Sequence, residues 1–188
     1  MTRMKGLWLV EESVQRFKNA WLELSEDKVV RPDGKPGTFA TVRMKPGVSV
    51  LAMNDLAQVY LTSEYRYAVE RESIEVVSGG IDEDEPPHVA ARRELREELG
   101  IEAAQWINLG LVDPFTSVIH SPATLFLARK LSLVRPEPEG AELIKVLKLE
   151  LREAVQMVLK SEITHGPSCI VILKTYLLLN SEKADILR

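Results

Sequence analysis

Glu94, Glu97 and Glu98 occupy positions i, i+3 and i+4 of a charged segment at residues 88–99. On a helix, side chains so spaced stack on one face. Three like charges there destabilise a bare helix by roughly a few tenths of a kcal/mol per pair. Two readings stand on these residues alone. One is a solvated helix salt-bridged through Arg92, Arg93 and Arg96. In the other the carboxylates are gathered for a purpose.

The surrounding spacing favours the second. Gly79 stands six residues before Glu85, and Glu85 eight before Arg93. Arg93, Glu94, Leu95, Arg96, Glu97, Glu98, Leu99, Gly100 and Ile101 follow without interruption. The pattern resembles the Nudix box, G-x5-E-x7-R-E-U-x-E-E-x-G-U with U a bulky aliphatic residue, and fills all nine specified positions. The resemblance implies hydrolysis of a diphosphate linked to another group. It implies Mg²⁺, with Mn²⁺ as a substitute, to neutralise and polarise that diphosphate. It makes Glu94 and Glu98 the main metal ligands and Glu97 a further ligand or helper, and adds the backbone carbonyl of Ser78. It gives Glu97 and Glu98 catalytic roles. Arg93 and Glu85 are left to support loop and helix by ion pairing.

The flanking sequence resembles the ADP-ribose pyrophosphatase-like branch, in which a Q-Y-R element precedes an E-L-P-A-G strand. Tyr65 and Arg66 match the first element and Glu75 the second; Glu64 replaces the glutamine, and Val76, Val77 and Ser78 replace Leu-Pro-Ala. By this resemblance Arg66 and Tyr65 bind substrate, Arg66 through charge-assisted hydrogen bonds to phosphate or ribose. His120, in a loop where the branch often carries proline, is a further substrate contact. An acidic residue of the late loop serves as metal ligand or catalytic base. Glu142 is the first candidate and Glu139 the second. The implied substrate is ADP-ribose or a related nucleoside diphosphate sugar. Dinucleoside polyphosphates, or ligand sensing without catalysis, are the alternatives.

The elements that must position these residues are legible in outline. Pro86 and Pro87 suit a helix's first turn, Asp84 and Glu85 its positive end, and Gly100 the position past its last residue. Ala90, Ala91, Leu95 and Leu99 supply its apolar stripe. Upstream, residues 19–30 and 38–44 flank the turn formers of 31–37 and predict an N-terminal β-hairpin. Strands are predicted at 47–53, 58–62 and 73–77 before the helix, and at 106–112, 123–128 and 143–149 after it, with a loop at 132–140. Helices at 150–160 and 168–180 close the pattern. The resemblance implies an α/β class, a Nudix fold built as an α/β/α sandwich with a mixed β-sheet. An N-terminal extension at 1–45, for dimerisation and part of the base pocket, precedes a hydrolase domain at 46–188.

Composition narrows the remaining classes. The chain has 188 residues, 45% hydrophobic and 28% charged, which is ordinary globular usage. A net charge of −4 disfavours nucleic acid as a partner. Cys169 is the single cysteine, so no intrachain disulfide forms and a reducing, cytoplasmic setting is the expectation. No apolar run is long enough to predict a membrane helix or a signal peptide. The expected partners are a small nucleotide-sugar substrate and a second copy of the chain.

Overall fold

A computed structural model describes residues 2–135 and 144–181. Its strands are β1 (Arg3–Lys5), β2 (Trp8–Lys18), β3 (Leu22–Val30), β4 (Pro36–Met44), β5 (Gly47–Met53), β6 (Gln58–Arg66), β7 (Arg71–Glu75), β8 (Val77–Gly80), β9 (Ile101–Val112), β10 (Ile119–His120), β11 (Ala123–Leu133) and β12 (Lys145–Glu150). Its helices are α1 (Pro87–Leu99), α2 (Leu151–Leu159) and α3 (Gly166–Leu179). The chain divides into two compact units, Met1–Pro46 with Asp113–Pro122, and Gly47–Val112 with Ala123–Arg188.

The first unit is one sheet in the order β1-β2-β3-β4-β10. The predicted hairpin is its β3–β4 pair, antiparallel from Leu22↔Met44 to Val30↔Pro36. Asn19 ends β2 by accepting the amides of Trp21 and Leu22, both at 2.8 Å. Sequence reasoning missed β2 because Glu11, Glu12, Gln15 and Arg16 blur its alternation, and two register shifts break its period. Residues 113–122, which the sequence boundary leaves with the second domain, join this sheet through the parallel β10–β4 pair.

The second unit carries a mixed seven-stranded sheet, β12-β6-β5-β11-β9, with β7 on β6 and β8 on β5. β5 and β11 pair in parallel at its centre and are buried on both sides. Alternation along them divides the core. Val48, Val50, Ala52, Phe126 and Ala128 pack with Ala90, Ala91 and Leu95 of α1. Leu51, Met53, Leu125 and Leu127 pack with residues of α2 and α3. Helices therefore cover both faces, and the expected α/β/α Nudix sandwich is what forms. Pairing also extends two strands beyond their predicted ends. Ser132 and Leu133, expected in a loop, lie opposite Glu102 and Ile101.

The sheet splits beside the box. β6 pairs with β5 only at Tyr60 and Val59, and from Thr62 onwards it pairs with β7. β8 then takes the first half of β5, from Gly47↔Gly80 to Val50↔Val77. Val76 is the crossover between the two pairings and is fully buried.

Candidate active site

The box is a strand end, a loop and a helix. Pro86 stands extended before Pro87, the first helical residue, which needs no partner for an amide hydrogen. Gly100 ends α1 with φ 59°, a left-handed conformation that favours glycine, and donates to Arg96 and Leu95 carbonyls. With Ala90, Ala91 and Leu95 buried, the charged residues of α1 are turned to the other side.

Arg93 is the hub of that side. Its Nε and Nη2 donate as a fork to Glu85, at 3.1 and 3.0 Å. Nη2 also donates to the Gly80 carbonyl at 3.0 Å, and Nη1 to Glu94 at 2.7 Å and Glu97 at 3.2 Å. Glu85 also accepts the Asp82 amide at 3.1 Å, which ties the loop down. These bonds raise the Arg93 pKa further, and the Arg93 fork holds the Glu85 carboxyl below the usual range. Burial pushes the Glu94 carboxyl up, against the attraction of Arg93.

Gly79 explains its own place in the motif. A Cβ there would overlap the Glu94 carboxylate. The constraint is close approach, not backbone conformation, and any side chain would displace a candidate ligand.

The predicted residues fall into four groups. Glu94, Glu97 and Glu98 share α1, and Ser78 sits on β8 with its hydroxyl 2.9 Å from that of Ser49 and donating to the Val76 carbonyl. Among the described residues, no three His, Cys, Asp or Glu side chains stand close enough to form a metal cluster. Arg93 draws Glu94 and Glu97 towards itself. Arg66 and Tyr65 end β6. Tyr65 is 56% exposed, whereas Arg66 forks onto Glu75 (Nε–Oε1 3.2 Å, Nη2–Oε2 3.0 Å) and pairs with Glu64 at 2.8 Å. Glu98 also acts on Arg66 electrostatically, which relates it to the box. His120 lies in the first unit on β10 and is exposed. Glu139 and Glu142 lie outside the described residues.

The NUDIX domain model matches residues 43–164. The chain belongs to the Nudix family. Among Nudix relatives, an ADP-ribose pyrophosphatase of Mycobacterium tuberculosis is 32% identical over 146 residues, 76% of this chain and 70% of the relative. An ADP-ribose pyrophosphatase of Bacillus subtilis is 26% identical over 160 residues, 84% of this chain and 86% of the relative. A solved structure described as an ADP compounds hydrolase superposes with a TM-score of 0.79 at 17% identity, over 90% of this chain and 92% of its own. That likeness is one of fold.

Sequence reasoning missed what stands behind Arg66. Glu75 is 6% exposed, and its Oε2 lies 3.5 Å from His165 Nδ1. His165 Nδ1 is 2.8 Å from the Ser168 hydroxyl, which accepts the Val76 amide at 3.0 Å. Burial opposes ionisation of Glu75, but its hydrogen bonds to Arg66 hold it below the usual range. Burial lowers the His165 pKa, with Glu75 opposing, so its imidazole is neutral near pH 7. The local motif that carries Arg66 and Glu75 does not reach His165, which lies far along the chain on another element.

Proposed function

We propose that this protein is a divalent-cation-dependent hydrolase of the diphosphate linkage in ADP-ribose or a related nucleoside diphosphate sugar. Its products are a nucleoside monophosphate and a sugar phosphate. The observation that carries this reading is the complete box on its loop and helix, with Glu94 seated on Gly79 and Arg93 locking the loop. The two ADP-ribose pyrophosphatase relatives support the substrate class.

The donor chemistry suits the implied cation, although the carboxylates do not converge as they stand and Glu94 and Glu97 would have to turn from Arg93 to reach it. Glu94, Glu97 and Glu98 offer carboxylate oxygens from one helix and Ser78 a carbonyl, all hard ligands without a closed cage, and Gly79 keeps the floor open for Glu94. Bound there, Mg²⁺ supplies charge neutralisation and polarisation of the diphosphate. The chain's own residues do the rest. Arg66 holds a phosphate or ribose oxygen through N–H groups not committed to Glu75. Glu97 and Glu98 orient the attacking water and accept its proton, with Glu142 as the further candidate base.

In the first unit a hollow of about 260 Å³ is lined by Trp8, Val10, Val29 and Phe39, with Trp8 and Phe39 edge to face. Asp27 stands in it, 2% exposed. Its Oδ2 takes Lys5 at 2.6 Å, and despite burial, bonds from Lys5 and Ser13 hold its carboxyl below the usual range. The same N-terminal strands are proposed to build a homodimer, and the cytoplasm is proposed as the compartment. Among the described residues, no helix is long and apolar enough to cross a membrane.

The test is a panel of nucleoside diphosphate sugars and dinucleoside polyphosphates with Mg²⁺, Mn²⁺ or EDTA, the products being identified by chromatography. Turnover of ADP-ribose to AMP and ribose 5-phosphate, abolished by EDTA, is expected. Absence of turnover on every diphosphate sinks the reading.

A further inference from the structure

Where the sheet splits, the Val76 amide is buried between two ladders, and the Ser168 hydroxyl of α3 receives it at 3.0 Å. Ser168 is itself fully buried. The Ser168 hydroxyl meets His165 Nδ1 at 2.8 Å, and in the tautomer protonated at Nδ1 that N–H lies between the Ser168 oxygen and Glu75 Oε2. The same imidazole edge closes on Glu75 Oε2 at 3.5 Å, on the oxygen that also receives Arg66 Nη2. A continuous chain of contacts thus runs from the first turn of α3, through His165 and Glu75, to the guanidinium at the end of β6.

Glu75 fixes Arg66 at two nitrogens, and Glu64 takes the third. A guanidinium carries five N–H donors in a rigid fork, so the direction of those left over is set by the carboxylate behind it. Ser73 hydrogen-bonds the same carboxylate, and His165 adds a further contact at Oε2. His165 stands against one oxygen, and Ser168 holds the imidazole while anchoring the strand next to Glu75.

We propose that His165 and Ser168 are positioning residues for substrate binding, acting through Glu75 to aim Arg66. The proposal rests on the reading of Arg66 as a substrate-binding residue. It differs from a packing role in what it moves. Binding weakens while the chemistry at the box, carried by other residues, continues.

The test uses the full chain with Mg²⁺ and ADP-ribose. His165→Leu is expected to raise KM about tenfold with kcat within about twofold, and His165→Asn, which restores a polar atom near Nδ1, to recover most of the loss. Arg66→Ala should raise KM by at least as much, and His165→Leu should add nothing further in that background, since both act on one contact. The Arg66 Nε–H resonance gives a readout that needs no turnover. It should exchange slowly with solvent in the unsubstituted protein and faster in His165→Leu, with thermal melts confirming that both fold. If His165→Leu leaves KM and this exchange unchanged while Arg66→Ala raises KM, positioning is overturned and the substrate role of Arg66 stands. If Arg66→Ala leaves KM unchanged, both fall. Full additivity in the double variant also overturns the proposal.

Discussion

At the scale of single residues, the site depends on carboxylates that repel one another and on one arginine that collects them. Arg93 spends its donors on Glu85, Glu94, Glu97 and the Gly80 carbonyl. A lysine keeps the charge but loses the planar fork. Arg93→Lys should therefore lower the melting temperature and reduce kcat at least tenfold, measured by calorimetry and steady-state kinetics. A variant indistinguishable from the parent would show that the hub is idle. Glu98 separates function from folding. Glu98→Gln keeps the side-chain volume but loses the charge, so turnover should fall by about 10²–10⁴-fold while the melting temperature stays within a few degrees. Near-normal activity in Glu98→Gln would remove it from the metal and proton-accepting roles.

At the scale of elements, β8 and α1 meet where Gly79 lets Glu94 in. Gly79→Ala places a methyl group against that carboxylate and forces it to shift. It should cut activity by an order of magnitude or more by displacing that carboxylate, with a stability change below about 1 kcal/mol because the flexible end of Glu94 can turn away. Chemical denaturation and kinetics on the same preparation would check both, and a stable, fully active Gly79→Ala would refute the close approach. This junction was legible in the sequence, because the box is local: Gly79, Glu85, Arg93 and the glutamates stand at fixed spacing along one loop and helix. α1 with its prolines and Gly100 was legible for the same reason, as were β5 and the two closing helices. The crossover at Val76 was not, because pairing β6 with β7 and β8 with β5 depends on partners that no short window contains. β10 is too short to leave a pattern, and His165 falls between the two predicted closing helices with nothing local to mark it, because its partner Glu75 lies on another element.

At the scale of the whole molecule, the acidic excess is arranged rather than spread, and acid stability should show it. Glu75 is held below the ordinary carboxylate range by Arg66 despite its burial, and Glu85 is lowered by the Arg93 fork. Such groups contribute stability that is fully present above the unfolded value, about 4.3, and is lost as pH falls through the lowered folded value. Glu85, partly buried under the Arg93 fork, contributes in the same sense. Glu94, pushed up by burial, acts in the opposite sense. The melting temperature should fall as pH drops below about 4, and Glu75→Gln should flatten that fall; an unchanged slope would place the sensitivity elsewhere. The central parallel pair has a different kind of consequence, one of timing. β5 and β11 are neighbours in the sheet but far apart in the chain, and the box loop and α1 lie in the stretch between them. During synthesis β5 emerges long before β11 exists, so its apolar residues wait with one edge open while the catalytic helix is already made. The active-site helix is thus laid down early and can gain its final support only late, when β11 closes the sheet and buries the face on which α1 rests.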